Sequence, residues 1–494
     1  TLAPGAVVLV LPRAGDAPLD AVTAVHRTLT TLLERTTAAR LWALTRGVYE
    51  GSDIDGSPLW GFSRVAAAEH PGLWGGVIDV ADDRLPLGVL AELAGNGVVV
   101  VRDDIALTAR LTRAESHRGL PLSCSPAGTY LVTGGTGALG VLVATRLADL
   151  GARRIVLLSR RGIAERSAWA ADAEPARTIL ALEERGVSVR VAAVDIAAPG
   201  AADELRAVLR DLPPVRGVVH AAGVEAGALL ASTTAEDFSA AMRPKVDGTL
   251  VLHEVFAPGE LDWLVLFSSC GYLAGFPGQG AYACANAYLD AFAQHRRSLG
   301  DRTTAVAWTA WRGLGMGSTS SFVAAQLRAL GMGVVGPDDA MRALDLAMRA
   351  DQPHVVVLPV DADAAAVPML ADIAPVDGED TGAAVVHPGR DGVPSPARVA
   401  ELVTGAVAAE LGLSEDAVDP RLPLAEIGVD SIMTVALRKQ LERATGLALP
   451  PTLLWEHPTA AAVTARIVEL LSGQQDPADQ EIREEIDEQI GACP

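Results

Sequence analysis

The sequence is poor in cysteine, in aromatic residues and in long apolar runs, and these shortages exclude several classes of protein. Its 494 residues include four cysteines without a CxxC pair, and its nine histidines form neither HxxxH nor HExxH. We therefore expect neither a disulfide scaffold nor a zinc site. No apolar run reaches the roughly 18–20 residues of a membrane helix, and no signal peptide pattern opens the sequence. A cytoplasmic protein without a membrane partner is predicted.

Charge is uneven both in sign and in residue type. The 61 acidic and 40 basic residues give a formal net charge of −21. A chain this acidic repels phosphate backbones, so we expect no nucleic-acid partner. Only two of the basic residues, Lys245 and Lys439, are lysines. A general preference for Arg explains the others and marks these two as positions where Arg does not substitute.

The first of three predicted blocks, 1–127, has the pattern of a parallel α/β sheet. Half of the whole chain is apolar, which suffices for large packed cores, and its length predicts about three domains. In this block buried strands alternate with helical stretches. Strands are predicted over 7–11, 41–44, 75–80 and 98–101, and a helix over 20–34. No glycine-rich loop follows these strands, so we expect no phosphate site here.

The second block, 128–374, has the more regular alternation of a doubly wound α/β fold. Its predicted strands cover 130–133, 154–159, 187–195, 217–221, 263–268, 304–308 and 354–358. One predicted helix begins at 138, and the others cover 177–185, 201–209, 245–255 and 282–297.

The third block, 397–472, shows helical periodicity throughout, which predicts a small all-α bundle. Its helices are predicted over 399–411, 431–444 and 460–471. A linker rich in Pro, Gly and Asp, 375–396, precedes it. The acidic tail, 473–494, is interpreted as a solvated end, although isoleucines recurring every four residues leave a short partner-binding helix as the alternative.

A glycine-rich turn is the strongest single motif. The run TGGTGALG, 133–140, follows a predicted strand and opens a predicted helix. Glycines there permit a tight turn and let backbone N–H groups approach a diphosphate at the positive end of the helix. A tight turn without a ligand is the alternative. The candidate cofactor-binding residues of this turn are Gly134, Gly135, Thr136, Gly137, Leu139 and Gly140.

Further cofactor-binding residues follow the next strands. Ser159 and Arg160 end the second strand, where an Arg suits the 2′-phosphate of NADPH better than the ribose hydroxyl of NADH. Asp195 is interpreted as a partner of the adenine amino group or as a helix cap. Three small residues after the next strand would let the backbone pass close to the cofactor: Ala221, Ala222 and Gly223.

Four polar residues form a candidate catalytic set. Ser269 lies just beyond a predicted strand, and Tyr282 and Asn286, four residues apart, share one helix face. Reducing a ketone requires a hydride and a proton, and a Tyr hydroxyl near an ammonium supplies that proton because the positive charge favours the phenolate. Lys245 fits the role of that ammonium. Each residue alone has a structural alternative, such as a core Tyr or a surface Lys.

Residues 128–374 resemble the ketoreductase domain of type I polyketide synthases, a branch of the short-chain dehydrogenase/reductases. The motifs are TGGTGALG, SRRG, HAAGV, MRPKVDGT, LFSSCGYLAGFPGQGAYACANAYLDAF and VAWTAW. Asn286 takes the place four residues after Tyr where ordinary short-chain dehydrogenases have Lys, and the Lys comes earlier, as in megasynthase ketoreductases. The resemblance implies that Ser269 and Tyr282 are catalytic, assisted by Lys245 and Asn286. The first block is similar to the structural, degenerate Rossmann-like subdomain that precedes such ketoreductases.

The third block resembles an acyl carrier protein through its motif GVDSIM, 428–433. The similarity implies that Ser431 carries 4′-phosphopantetheine. Ser431 stands at the start of a predicted helix, where free N–H groups favour a phosphodiester. An ordinary helix cap is the alternative.

Two departures from the family concern the configuration of the alcohol. Residues 225–227, Glu-Ala-Gly, stand where one class carries Leu-Asp-Asp, and Ala274 stands where the other class carries Trp. The missing Leu-Asp-Asp favours the second class. The stretch GVDSIMTVALRKQLE is more similar to carriers of iterative, aromatic-forming synthases.

These observations together predict a fragment of a bacterial type I polyketide synthase. We expect NADPH-dependent reduction of a β-ketoacyl chain that is tethered to the carrier. Condensing and acyltransferase domains would be partners outside this sequence. A redox-inactive or epimerising scaffold is the alternative function.

Overall fold

The structure is a computed structural model of the 494-residue chain. It describes residues 6–13, 15–35, 39–82, 88, 97–114, 120–169, 174–224, 227–315, 327–328, 330–375, 395–411, 418–424, 431–445, 447, 449–450 and 453–473. The chain divides into two compact units, one of 1–320 and 331–375 and the other of 321–330 and 376–494. The bounds of the five segments expected from the sequence stay predictions. Most of the predicted linker and of the acidic tail lies outside the described residues.

The first sheet of the larger unit has five strands whose spatial order follows the chain order. Strands 1 to 4 run parallel and the last pairs antiparallel. Because the order never reverses, this sheet has no switch point, which is where open α/β sheets form a ligand crevice. The strands are β1 (Val7–Val10), β2 (Arg40–Arg46), β3 (Trp74–Val80), β4 (Val98–Arg102) and β5 (Ile105–Leu107).

Among the residues that the structure describes, the helices packed on the first sheet are α1 (Pro18–Glu34) and α2 (Pro58–Glu69). The predicted strands and the first helix are present, whereas α2 and β5 were not predicted. The carboxyl ends of the strands are closed by a buried carboxylate. Asp79 accepts hydrogen bonds from the Thr45 hydroxyl at 2.7 Å and from Arg102 at 2.7 Å. These side chains occupy the edge at which a nucleotide-binding sheet would open.

The second sheet has seven parallel strands in the order β12-β11-β10-β9-β6-β7-β8. The order reverses between β6 and β9, so a switch point lies there. The strands are β6 (Thr129–Thr133), β7 (Arg154–Ser159), β8 (Ser188–Ala193), β9 (Val215–His220), β10 (Trp263–Ser269), β11 (Thr303–Trp308) and β12 (His354–Val357). Their helices are α3 (Ala138–Asp149), α4 (Ala176–Glu184), α5 (Ala201–Leu209), α6 (Ala235–Val255), α7 (Gly271–Ala274), α8 (Gly280–Ser298) and α9 (Pro337–Arg349).

The start of α6 corrects one prediction. The sequence pattern placed it at Lys245, whereas the helix begins ten residues earlier, at Ala235. The reason is a capping box: Thr234 Oγ1 accepts a hydrogen bond from the Asp237 amide, and the Asp237 carboxylate accepts one from the Thr234 amide. The helix continues through Pro244, so Lys245 lies in its interior rather than at its start.

The two sheets of the larger unit share a hydrophobic core. Leu59 and Phe62 of α2 belong to the same cluster of buried side chains as Leu131 of β6 and Leu266 of β10. Helix α2 lies close against α8, because a Cβ atom added at Gly61 would come within 2.1 Å of the Ala283 carbonyl oxygen. The first sheet therefore contributes to the position of α8.

The smaller unit is helical, as predicted. Its helices are α10 (Pro396–Leu411), α11 (Ser431–Thr445), α12 (Leu453–Glu456) and α13 (Ala460–Gly473). Apolar side chains at helical spacing form its core, among them Val399, Val403, Leu437, Leu441, Val463 and Ile467. The fold class, two Rossmann-like sheets and a small helix bundle, is confirmed. Among the described residues, no helix combines the length and hydropathy needed to span a bilayer.

Candidate active site

A cavity of about 330 Å³ lies at the switch point of the second sheet. Every predicted cofactor-binding residue except Gly135 lines it. Gly135 instead lies against β7, since a Cβ atom there would come within 2.7 Å of the Leu157 side chain. Gly135 stays a predicted cofactor-binding residue, and its lack of a side chain lets the turn pack on the sheet.

Backbone approach explains the other glycines of the turn. Gly134 has a φ of +67°, and a Cβ atom there would come within 2.8 Å of the Ala221 carbonyl oxygen. At Gly140 a Cβ atom would come within 2.4 Å of the Gly134 carbonyl oxygen. Side chains at these two positions would push the turn away from the first turn of α3. The glycines thus keep the helix end and the cavity together.

The N-terminus of α3 suits the diphosphate of a dinucleotide. Its N-cap is Gly137, so no side chain caps the first N–H groups of the helix. Ala138, Leu139 and Gly140, the first helical residues, line the cavity. Unpaired N–H groups and the positive end of a helix favour an anion. This cradle, which only glycines leave open, fits a dinucleotide.

Two polar residues at the far side of the cavity were predicted to contact the adenosine half. Arg160 is exposed and follows directly after β7. Asp195 accepts a hydrogen bond from the Ala197 amide at 3.2 Å. The alternative that Asp195 caps the next helix is wrong, because α5 begins at Ala201 and its N-cap is Gly200.

Thr133 and His220 fix the small-residue stretch beside the turn. Thr133 Oγ1 accepts a hydrogen bond from the Ala222 amide at 3.2 Å and lies 2.7 Å from His220 Nδ1. Burial, with a smaller contribution from Lys245, lowers the pKa of His220 to about 3. The ring is therefore neutral, and its Nδ1 is hydrogen-bonded to the Thr133 hydroxyl. Neither residue was singled out from the sequence.

Lys245 is a buried ammonium beside the candidate tyrosine. Its Nζ donates a hydrogen bond to the Phe267 carbonyl oxygen at 2.6 Å and lies 5.7 Å from the centroid of the Tyr282 ring. Burial lowers the pKa of Lys245 to about 8, and the Asp290 carboxylate opposes this shift. At pH 7 the amine therefore stays mostly protonated next to the phenol, although it loses its proton more readily than an exposed lysine.

The end of β10 ties the candidate catalytic residues together. The Phe267 carbonyl oxygen accepts the hydrogen bond from Lys245. Ser268 Oγ donates to the Asn286 backbone carbonyl oxygen at 3.4 Å. Ser269 is the last residue of the strand. Asn286 Nδ2 donates to the Tyr282 carbonyl oxygen at 2.8 Å, as expected of residues sharing a helix face. Ser269 Oγ accepts from the Gly271 amide at 3.2 Å.

A buried cluster around Asp290 stands behind this set and was not predicted. The Asp290 carboxylate accepts a hydrogen bond from the Tyr272 hydroxyl and lies 3.1 Å from His354 Nε2. Burial raises the pKa of Asp290, while His354, Tyr272, Ser268 and Lys245 oppose that shift. The spacing of Asp290, four residues after Asn286 on α8, was the signal that could have identified it.

The remaining predicted positions are covered in part. Ser431 is the first residue of α11, and its side chain lies outside the described residues. Glu225 and Ala226 lie outside them as well, whereas Ala274 ends α7. Within the part of the chain that the structure describes, no group of three or more His, Cys, Asp or Glu side chains could hold a metal ion.

Three family models match successive parts of the chain. Residues 1–111 match the Rossmann fold domain of the polyketide synthase extender module SpnB, and 128–313 match the KR domain. Residues 401–467 match the phosphopantetheine attachment site. A solved structure of A-type ketoreductases from a modular polyketide synthase is 36% identical, with a TM-score of 0.63, and the match covers 73% of this chain and 79% of that one.

This chain belongs to the polyketide synthase ketoreductases. Its ketoreductase region is joined to a phosphopantetheine-attachment domain. The 6-methylsalicylic acid synthase of Arthrobotrys oligospora is 41% identical over 455 residues, which are 87% of this chain and 26% of the relative. The 5-methyl-1-naphthoate synthase of Streptomyces sahachiroi is 39% identical over 505 residues, 96% of this chain and 28% of that relative. The chain thus spans about a quarter of these curated relatives, and its bacterial origin stays a prediction.

The scarcity of lysine makes the buried amine of this ketoreductase directly measurable. Labelling the chain with ¹³C-lysine gives two signals, from Lys245 and Lys439. We expect one signal to titrate with a pKa of about 8 and to disappear in Lys245→Arg. If the signal lost in this variant titrates near the ordinary value of 10.5, the ammonium is not buried as described.

Proposed function

We propose that this chain reduces the β-keto group of an acyl thioester with NADPH while the acyl chain is tethered to the phosphopantetheine arm of its own carrier domain. The observation that supports the proposal best is the contact of the buried Lys245 ammonium with the end of β10 and with the Tyr282 ring. Pro244, the residue before Lys245, lines the switch-point cavity. A phenol with an adjacent buried ammonium is suited to donate a proton to an alkoxide.

Each residue of the site has a role in this proposal. A bound NADPH supplies the hydride to the ketone carbon. The Ser269 hydroxyl donates a hydrogen bond to the ketone oxygen and polarises the carbonyl. The Tyr282 hydroxyl transfers its proton to the same oxygen as negative charge develops there. The Lys245 ammonium stabilises the charge left on the phenolic oxygen.

Asn286 holds this arrangement in place. Its Nδ2 bonds to the Tyr282 carbonyl, and its Oδ1 is buried with no hydrogen-bond partner among the described residues. An acceptor in this state favours a donor such as a water molecule near the ammonium. We propose that Asn286 orders the proton path to Tyr282.

NADPH rather than NADH is proposed as the reductant because the loop after β7 begins with an arginine, Arg160, and not with an acidic residue. Arg160 lies at the end of β7, the second strand of the nucleotide-binding half, where the ribose of a bound dinucleotide is recognised. A guanidinium pairs with a 2′-phosphate through charge-assisted hydrogen bonds. The residues proposed to hold the rest of the cofactor are those of the turn and of 221–223.

The carrier and the parent synthase complete the proposal. Ser431, at the start of α11, is proposed to bear 4′-phosphopantetheine, and condensing and acyltransferase domains would supply the β-ketoacyl chain. The names of the relatives are those of synthases of aromatic acids, which supports an aromatic product. A cytoplasmic setting agrees with the free thiols of the cysteines that the structure describes, Cys124, Cys270 and Cys284.

Replacing Tyr282 tests the proposed chemistry. We expect Tyr282→Phe to lower the rate of NADPH oxidation with an acetoacetyl thioester by roughly 10²- to 10⁴-fold, the usual contribution of a general acid. Binding of NADPH, followed by its fluorescence, should not change. The matched control is Tyr288→Phe, which removes a hydroxyl from the same helix at a buried position outside the site.

Two results would overturn the proposal. The first is a wild-type chain that binds NADPH but does not oxidise it with any β-ketoacyl thioester. This result would favour the alternative function, a redox-inactive or epimerising scaffold. A Tyr282→Phe variant as active as the control would remove the phenol from the chemistry.

Replacing Arg160 tests the choice of cofactor. We expect Arg160→Ala to weaken NADPH binding roughly 10- to 100-fold, because a hydrogen bond to a charged group contributes about 1.5–3 kcal/mol. NADH binding should be unchanged, since NADH lacks the 2′-phosphate. The control is Arg161→Ala, at the neighbouring position. Equal losses for both cofactors, or a larger loss in the control, would contradict the assignment of Arg160.

A further inference from the structure

Glu69 is a carboxylate in an unfavourable place. It is the last residue of α2, at the negative end of the helix dipole, and its side chain is 1% exposed. Burial raises the pKa of Glu69 to about 7, and two backbone hydrogen bonds oppose that shift. A residue that breaks local rules in this way costs stability, so a gain elsewhere is expected.

Both carboxylate oxygens of Glu69 accept hydrogen bonds from backbone amides in loops next to the second sheet. Oε2 accepts from the Leu230 amide at 2.6 Å, and Oε1 accepts from the Gly278 amide at 2.8 Å. Leu230 belongs to the loop that follows β9, and Gly278 belongs to the loop between α7 and α8. One carboxylate thus joins two loops, one directly after β9 and the other after β10 and the short helix α7.

Other contacts reinforce this joint, by which we mean the two hydrogen bonds from the Leu230 and Gly278 amides to Glu69. The Ala228 amide donates to the Gly278 carbonyl oxygen at 3.0 Å, which pairs the two loops directly. His26 Nε2, from α1, lies 2.7 Å from the Leu230 carbonyl oxygen and must donate to it. The helices packed on the first sheet therefore bind both backbone polar groups of Leu230, its N–H through Glu69 and its C=O through His26.

The joined loops border the candidate catalytic residues. Gly278 and Gln279 immediately precede α8, whose third residue is Tyr282. A Cβ atom at Gly271 would lie 2.9 Å from Gln279 Oε1 and 3.4 Å from Ser269 Oγ, so the second loop also adjoins the serine. The first loop continues from the stretch 221–224 that lines the cofactor cavity.

We propose that Glu69 is a positioning residue of the reductase, which fixes both loops and thereby sets the orientation in which the ketone meets Ser269 and Tyr282. This inference rests on the proposed function and adds to it a specificity role for the first sheet. Glu69 touches neither substrate nor cofactor and acts through Leu230 and Gly278.

The test compares Glu69→Gln with the wild type in the full chain. The amide side chain keeps one acceptor oxygen and turns an NH₂ group towards the other backbone N–H, so one hydrogen bond is lost. We expect kcat with an acetoacetyl thioester to fall roughly tenfold to 100-fold, with NADPH affinity unchanged. We also expect a changed ratio of the two 3-hydroxy enantiomers, a readout that a loss of overall stability would not move.

Two further variants keep the test decisive. His26→Phe retains the ring packing against Phe62 and Phe238 and loses only the bond to Leu230, so we expect a smaller shift in the same direction. Glu50→Gln makes the same substitution at an exposed ion pair with Arg102 in the same sheet, and we expect wild-type values. If Glu69→Gln does not fold, the result for His26→Phe decides.

Amide hydrogen exchange separates this inference from the proposed function. Loss of the joint should speed exchange at Leu230 and Gly278 in Glu69→Gln, whether or not the chain reduces ketones. An inactive wild type would overturn the proposed function. An active Glu69→Gln variant with unchanged kcat and enantiomer ratio, or unchanged exchange at both amides, would overturn the positioning role.

Discussion

The active-site arrangement depends on one buried charge, the ammonium of Lys245. Removing an ammonium from water is costly unless polar groups replace its hydration. Here the Phe267 carbonyl accepts a hydrogen bond, the Tyr282 ring presents its face and Asp290 supplies an opposite charge. These groups come from β10 and α8. The contacts that stabilise the buried ammonium therefore also bring the candidate catalytic residues together. A compact ammonium meets it, whereas a wider guanidinium does not match this single carbonyl.

The two sheets of the larger unit differ in strand order and in what occupies their strand ends. The second sheet reverses its strand order and so opens a cavity beside a glycine turn, whereas the first keeps chain order and fills its strand ends with Asp79 and Arg102. The first sheet nevertheless reaches the site through α2. Gly61 allows close packing on α8, and Glu69 holds the loops around it. The first sheet therefore contributes, through α2, to the positions of elements around the candidate site.

Local motifs in the sequence predicted much of this arrangement. The turn 133–140, the positions of most strands and the shared helix face of Tyr282 and Asn286 depend on short-range spacing, which a single sequence displays. The predicted start of α6, at Lys245, is wrong, because the capping box at Thr234 places the start at Ala235. Both sheets were predicted, but the unreversed strand order of the first sheet was not. Hydrophobic periodicity indicates where strands lie in the sequence and not their order in the sheet.

Long-range contacts were beyond such reasoning. Glu69 meets Leu230 across 161 residues and Gly278 across 209, and no local pattern distinguishes that glutamate from a solvated one. The cluster of Asp290, Tyr272 and His354 likewise joins three separate elements. Residues that act by position at a distance are therefore revealed by the fold, whereas residues that act in the chemistry carry recognisable motifs.

The most direct measurement is a crystal structure of the chain with NADP⁺ bound. The account requires the diphosphate against the first turn of α3, the 2′-phosphate beside Arg160, and the nicotinamide ring facing Tyr282 and Ser269. A cofactor bound outside the switch-point cavity, or a nicotinamide ring turned away from Tyr282, would contradict it.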